Sequence, residues 1–139
     1  RDIRTADKFS NYQMHVEFML PYRPDARGQG RGNSGFYQVD HYEVQILDSF
    51  GLEGLDNECG GVYKKANSRV NMCLPPLQWQ TYDVEYRVQE DSKKAELTAF
   101  HNGIKIHHQV ELNHRPGTFH FQDHGNPVRY RNIWVLEKK

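Results

Sequence analysis

In the stretch NYQMHVEFML, residues 11–20, Tyr12, Met14, Val16, Phe18 and Leu20 fall on one face and Gln13, His15 and Glu17 on the other. A period of two is the repeat of an extended strand with one face in a core; a helix would scatter those apolar residues around its girth. The same alternation returns in HYEVQILD, where Tyr42, Val44 and Ile46 oppose Glu43 and Gln45. It returns again in TYDVEYRV, where Tyr82, Val84, Tyr86 and Val88 oppose Thr81, Asp83, Glu85 and Arg87. AELTAFHNGIKIHHQV reads as two strands joined at Asn102-Gly103, a pair suited to the positive φ angles of a two-residue hairpin turn. GFYQV, from Gly35, adds a further strand, and no window keeps a helical period over three turns. Strands about ten residues apart with turn chemistry between them predict an all-β, two-sheet antiparallel sandwich or barrel.

A chain of 139 residues is long enough for one such domain, spanning 1–139, with a core of its own. Lys and Arg number 18 and so do Asp and Glu, so no long-range basic field exists to attract nucleic acid or an anionic membrane surface. The lack of a long apolar run argues against a membrane span. Aromatic residues make up 12% of the chain, which suits strands and also surfaces on which sugars stack.

Two long connections interrupt the strands. PYRPDARGQGRGNSG, from Pro21, carries glycines at 28, 30, 32 and 35, but phosphate-binding glycine loops open a helix and this one runs into the strand GFYQV. It reads better as a loop rimming a site. The segment from Leu47 to Pro76 has room for only a short strand at GVYK, and loops of that length in a small domain are usually functional or held in place by something. It contains both cysteines. Cys59 and Cys73 lack the further Cys or clustered His of a structural zinc site. Their spacing leaves open a disulfide closing a short loop, worth about 3 kcal/mol, or two buried thiols.

Polar residues that repeat on one strand face are the candidates for chemistry. Glu43 and Gln45 project from the side of their strand opposite its apolar set, and Asp48 follows at its end. A second row lies at FHFQDHGNPVRYRNIWV: His120, Gln122 and His124 share one parity while Phe119 and Phe121 share the other. Asp123-His124-Gly125-Asn126-Pro127 has the residues of a turn between the strand FHF and a returning strand VRYRNIWV, and Arg129 stands just beyond it on that returning strand. For each residue alone, a solvated strand face or a turn is the simpler reading.

Taken together, GNSGFY (32–37), YEVQILDSFG (42–51), CGGVYK (59–64), PPLQWQTYDVEYR (75–87), FHNG (100–103) and QDHGNPVRYRNIWV (122–135) resemble the 3-keto-disaccharide hydrolase family, formerly a domain of unknown function. The likeness runs in order from about Asp2 to Leu136, and the stretch Gln38–His41 departs from the family's usual pattern. The resemblance implies a concanavalin-like jelly roll, here without the family's first N-terminal strands, and a ligand site on a concave sheet face. It also implies cleavage of glycosides already oxidised to a ketone at C3. Such a ketone acidifies the C2 proton, so a positioned base can form an enolate that expels the C1 substituent before water adds. Carried onto this chain, the site comprises His124, Glu43, Asp48 and Arg129 as catalytic candidates, with Gln45, Gln122 and Asp123 binding substrate. Either His124 or Glu43 is then the base, Arg129 and Gln45 are donors, and Asp48 is an orienter or acid.

The resemblance carries further expectations. The protein is extracellular or periplasmic, as sugar-facing jelly rolls of this type mostly are, and Cys59–Cys73 form a disulfide. Its ligand is a sugar or glycan, and no cofactor is firmly implied. A divalent cation at Asp48, Asp123 or His124 stays open, since no spacing demands one. The alternatives to an enzyme are a glycan-binding module without turnover and a structural subunit that associates with copies of itself through an uncovered sheet edge.

Overall fold

The computed structural model describes residues 1–91 and 93–138 and contains nine strands and one 3₁₀ turn, Gly28–Gly30. The strands are β1 (Ile3–Arg4), β2 (Tyr12–Met19), β3 (Ser34–Gln38), β4 (Tyr42–Ile46), β5 (Trp79–Val88), β6 (Lys94–His101), β7 (Ile104–Asn113), β8 (His120–Phe121) and β9 (Arg129–Glu137). They form two antiparallel sheets, one ordered β1-β8-β3-β4 and the other β7-β6-β5-β2-β9. The expected all-β sandwich of jelly-roll type is therefore what the chain adopts. No helix among the described residues is long and apolar enough to cross a membrane.

Alternation places the core. On the five-stranded sheet, Tyr12, Met14, Val16 and Phe18 of β2 and Tyr82, Val84 and Tyr86 of β5 point inward and are buried. Opposite them on the four-stranded sheet stand Phe36, Val44, Ile46 and Phe121, and both sets belong to one apolar cluster. Aromatic rings tie the layers together: Phe119 meets Tyr12 edge-on at 4.5 Å, and the Tyr12 hydroxyl donates to Gln38 Oε1 at 2.8 Å. The hairpin at Asn102-Gly103 forms as expected, with φ of 53° and 81° at its two central residues.

Three features differ from the sequence expectation. The strands flanking Asp123–Pro127 do not pair with each other. β8 lies in the four-stranded sheet beside β3 and β1, whereas β9 crosses to the edge of the other sheet beside β2. GVYK forms no regular strand; instead Val62 makes a single bridge to Val44, and backbone bonds join Gly60 and Gly61 to Gln45 and Tyr63 to Glu43. The 58–63 stretch thus closes the edge of β4. The Cys59–Cys73 bridge is not formed: both residues are free, buried thiols. Cys59 Sγ lies 3.2 Å from the Tyr82 hydroxyl, and the Cys73 thiol faces the Leu74 carbonyl at 3.4 Å, so each sulfur is engaged with its surroundings.

The long segment between β4 and β5 is held by its own side chains. Glu58 Oε1 accepts from the backbone N–H groups of Gly54 and Leu55, each at 2.8 Å. Asn71 Nδ2 donates to the carbonyls of Ser49 and Leu52, and Asp56 accepts from the Lys64 N–H. These bonds satisfy backbone groups that no sheet neighbour serves. At the far side of the molecule, β9 has no strand on its outer edge among the described residues, and Ile133, Trp134, Val135 and Leu136 are exposed.

Candidate functional site

The outer face of the four-stranded sheet carries the polar row that the alternation expects. Because Phe36 and Val44 face the core, their neighbours Tyr37 and Glu43 must face outward, and the register sets Tyr37 directly across from Glu43 and beside His120. The rim loop from Pro21 folds over this face on one side, the 58–63 stretch covers it on another, and His124 at the start of the β8–β9 crossover stands on a third. Between them lies a cleft of about 120 Å³ lined by Gln29, Asn33, Tyr37, Glu43, Gln45, Tyr63, Gln122 and His124.

Glu43 is the charged group at its base. It is buried, and a Cβ built on Gly35 would sit inside its carboxylate, so glycine at position 35 is what makes room for it. Burial pushes its carboxyl up from 4.5 to about 7, opposed by a hydrogen bond of 3.2 Å from the Tyr37 hydroxyl. Burial also raises the Tyr37 phenol to about 12, and the adjacent Glu43 carboxylate adds to that. The Tyr37 ring stacks on His120 at 4.2 Å, and His120 Nδ1 lies 3.2 Å from Asp40, so a side-chain column on the outer face holds Tyr37 in place. Asp40 lies in the Gln38–His41 turn, and there it anchors Arg4, His120 and the Thr118 N–H.

The amides of the cleft are partly committed. Gln45 Nε2 reaches Gln29 Oε1 at 3.2 Å and the Asn57 carbonyl at 3.4 Å, while Gln45 Oε1 accepts from the Ile46 N–H. Gln29 Nε2 donates to the Asn57 carbonyl at 2.8 Å. Gln45, expected as a donor to substrate, is thus a brace that pins the rim loop to β4. Gln122 holds its strand by backbone bonds to Gly35 and to the Ser34 hydroxyl, which leaves its half-buried side chain facing the cleft.

Of the residues singled out from the sequence, Glu43, Gln45, Gln122 and His124 therefore meet in one cleft. The other three lie elsewhere. Asp48 is buried 3.1 Å from Arg31, and its N–H also donates to the Arg31 carbonyl, so it clamps the end of the rim loop outside the cleft. Arg129 is exposed in a hollow with Met19, Pro21, Tyr22 and Leu77. Asp123 is exposed and accepts from the Gly125 N–H at 3.0 Å, as a turn residue does. Among the described residues, no group of three or more His, Cys, Asp and Glu could hold a metal ion. Tyr37, Tyr63, Asn33 and Gln29 were not singled out; the outward parity of Tyr37 beside Phe36 was the one signal available for it.

Residues 1–136 match the family model of the 3-keto-alpha-glucoside-1,2-lyase-like domain. The chain belongs to that family. Among solved structures, a candidate glycosyl hydrolase from Parabacteroides distasonis is 29% identical, with a TM-score of 0.86 over 99% of this chain and 68% of that one. A second from the same organism is 20% identical, with a TM-score of 0.74 over 99% of this chain and 74% of that one. The carbohydrate-binding module CBM66 from Bacillus subtilis is 10% identical, with a TM-score of 0.65 over 96% of this chain and 80% of that one. These last two show a shared fold. No curated protein matches the chain. This lyase-like domain is thus carbohydrate-related in family and jelly-roll-like in architecture, and its polar cleft opens on one sheet face.

Proposed function

We propose that the domain cleaves glycosides bearing a ketone at C3 of the sugar, with Glu43 as the base that removes the C2 proton. The observation that carries this reading is the buried Glu43 carboxylate at the base of the cleft, where burial pushes its carboxyl up to about 7. A base is most effective when its pKa lies near the working pH, because the ionised form is then both populated and basic enough. The Glu43 carboxylate takes the C2 proton, the C–H electrons form the C2–C3 double bond, and the C3 oxygen becomes an enolate. Gln122 and Tyr37, which line the same cleft, donate hydrogen bonds to that oxygen. Collapse of the enolate expels the C1 oxygen substituent, which takes a proton from His124 at the rim. Water then adds at C1, losing a proton to His124, and the Glu43 carboxyl returns its proton to C2. The family model supports the substrate class, and the cleft, well below the roughly 300–1,000 Å³ of drug-sized pockets, suits one sugar ring with the aglycone outside.

Incubation with a nitrophenyl 3-keto-glucoside tests this. Release should fall by about 10²–10⁴ in Glu43→Gln, and more weakly in His124→Ala. No release by the unaltered protein above the Glu43→Gln level overturns the reading. The positions of Asp48 and Arg129 outside the cleft favour a second reading, glycan binding without turnover, which predicts saturable sugar binding that Glu43→Gln leaves intact. For partners we propose a sugar in the cleft and, on the free edge of β9, a strand of a second copy. A monomer at every concentration in light scattering rules out the latter. An exported location goes with such a substrate; fractionation of the producing cells tests it, and recovery of the protein in the cytoplasmic fraction alone rules it out.

A further inference from the structure

Asn33 stands at the foot of the rim loop, one residue before β3, and is 3% exposed. Its amide has a single workable orientation. Nδ2 donates to the Gln29 carbonyl at 2.8 Å and to Gln29 Oε1 at 3.3 Å, and turning the amide over would set Oδ1 against two acceptors. Oδ1 is thus the atom left over, buried and without a hydrogen-bond partner. Buried polar atoms are nearly always paired in native proteins, and an exception needs an explanation.

The neighbouring amides do not supply the missing donor. Gln45 Nε2 reaches Gln29 and Asn57, and Gln29 Nε2 serves Asn57. Asn33 lines the same cleft as Tyr37, Glu43 and Gln122, so a donor entering that cleft is the natural partner.

We propose that Asn33 determines specificity by accepting, through Oδ1, a hydrogen bond from a ring hydroxyl next to the sugar's ketone. The identity of the sugar rests on the 3-keto-glycoside reading above. With Glu43 at the C2 proton, the hydroxyls to test are those on C2 and C4, which flank the C3 ketone. A deoxy sugar would leave Oδ1 unpaired. Sites built to bond a substrate hydroxyl reject the analogue lacking it by up to about 10⁴–10⁵. This cleft opens to solvent on one side, so a factor of about 10–100 is expected.

The experiment compares kcat/KM for aglycone release from a nitrophenyl 3-keto-glucoside and its 2-deoxy and 4-deoxy counterparts, in the unaltered protein and in Asn33→Leu. Dividing one protein's preference by the other's cancels the intrinsic reactivity of the deoxy sugars. The expected result is a preference for the full sugar over one deoxy arm that is at least about ten-fold larger in the unaltered protein; the arm affected identifies the hydroxyl. Equal preferences in both proteins overturn the proposal. If Asn33→Leu does not fold, calorimetric binding of the three sugars to the unaltered protein decides, and equal affinities overturn it. Absence of release from any sugar is a failure of the 3-keto-glycoside reading instead, and Asn33 is then judged by calorimetry with the parent glucoside and its deoxy forms, where equal affinities again overturn it.

Discussion

Replacing Glu43 by glutamine separates the energetic cost of the site from its chemistry. With the carboxyl raised from 4.5 to about 7, the folded protein keeps a proton between those pH values that the unfolded chain has already released. Stability therefore falls as pH rises from about 4.5 through about 7, and levels off above that. At about 1.36 kcal/mol per pH unit the full gap corresponds to about 3 kcal/mol. Water entering the open cleft screens the charge, so about 2 kcal/mol is the working figure. The Glu43→Gln amide would keep the shape and still accept from Tyr37 while removing the titration. Urea unfolding of both proteins at pH 5 and pH 8 measures the effect. The difference in stability should shift by about 2 kcal/mol in favour of Glu43→Gln between the two pH values, a gain of roughly 6–10 °C in Tm at pH 8 for a chain of this size. A difference that stays constant with pH refutes the claim that Glu43 titrates in a desolvated site. A stabilised, inactive variant is the familiar signature of a site that trades stability for activity.

Other perturbations follow from the same geometry. Gly35→Ala places a methyl group where the Glu43 carboxylate lies, so activity should drop at least ten-fold and the acid limb of the pH–rate profile should move down from about 7; an unchanged profile argues against the close approach. Asp48→Ala leaves the Arg31 guanidinium without its buried partner and should cost about 2–4 kcal/mol in urea unfolding, whereas a loss below about 0.5 kcal/mol would mark the pair as a surface one. Cys59 and Cys73 are buried and free, so a thiol reagent should titrate none in the native protein and two after denaturation. Two blocked sulfurs after denaturation would mean that the bridge forms.

The strands were legible where one face is wholly apolar. Tyr12 through Phe18 and Tyr82 through Tyr86 alternate because each sheet buries one side, and Asn102-Gly103 announces its own turn. The same alternation put Glu43, Gln45 and Gln122 on the outer face, and that much of the cleft could be read directly. The β8–β9 crossover could not. Asp123–Pro127 has turn chemistry whether the next strand returns beside β8 or joins the opposite sheet, and the choice lies in the pairing of β9 with β2, more than a hundred residues away. Asp48 was misleading for a related reason: its sequence position at the end of β4 says nothing of Arg31, which the rim loop brings to it. Asn33 and Gln29 lie in an irregular loop without a period, so nothing local distinguishes them from solvated turn residues. The state of the two cysteines depends on what surrounds each sulfur, and their spacing does not report it.

The claim on which the functional account turns is that Glu43 removes a proton from C2 of a 3-keto sugar. Proton NMR of a 3-keto-glucoside in deuterated buffer reads that step directly, whatever the fate of the aglycone. The unaltered protein should replace the C2 proton by deuterium at a rate that rises with pH through about 7, and Glu43→Gln should reduce that rate by about 10²–10⁴. Exchange at the same rate in both proteins, or exchange no faster than in buffer alone, contradicts the account.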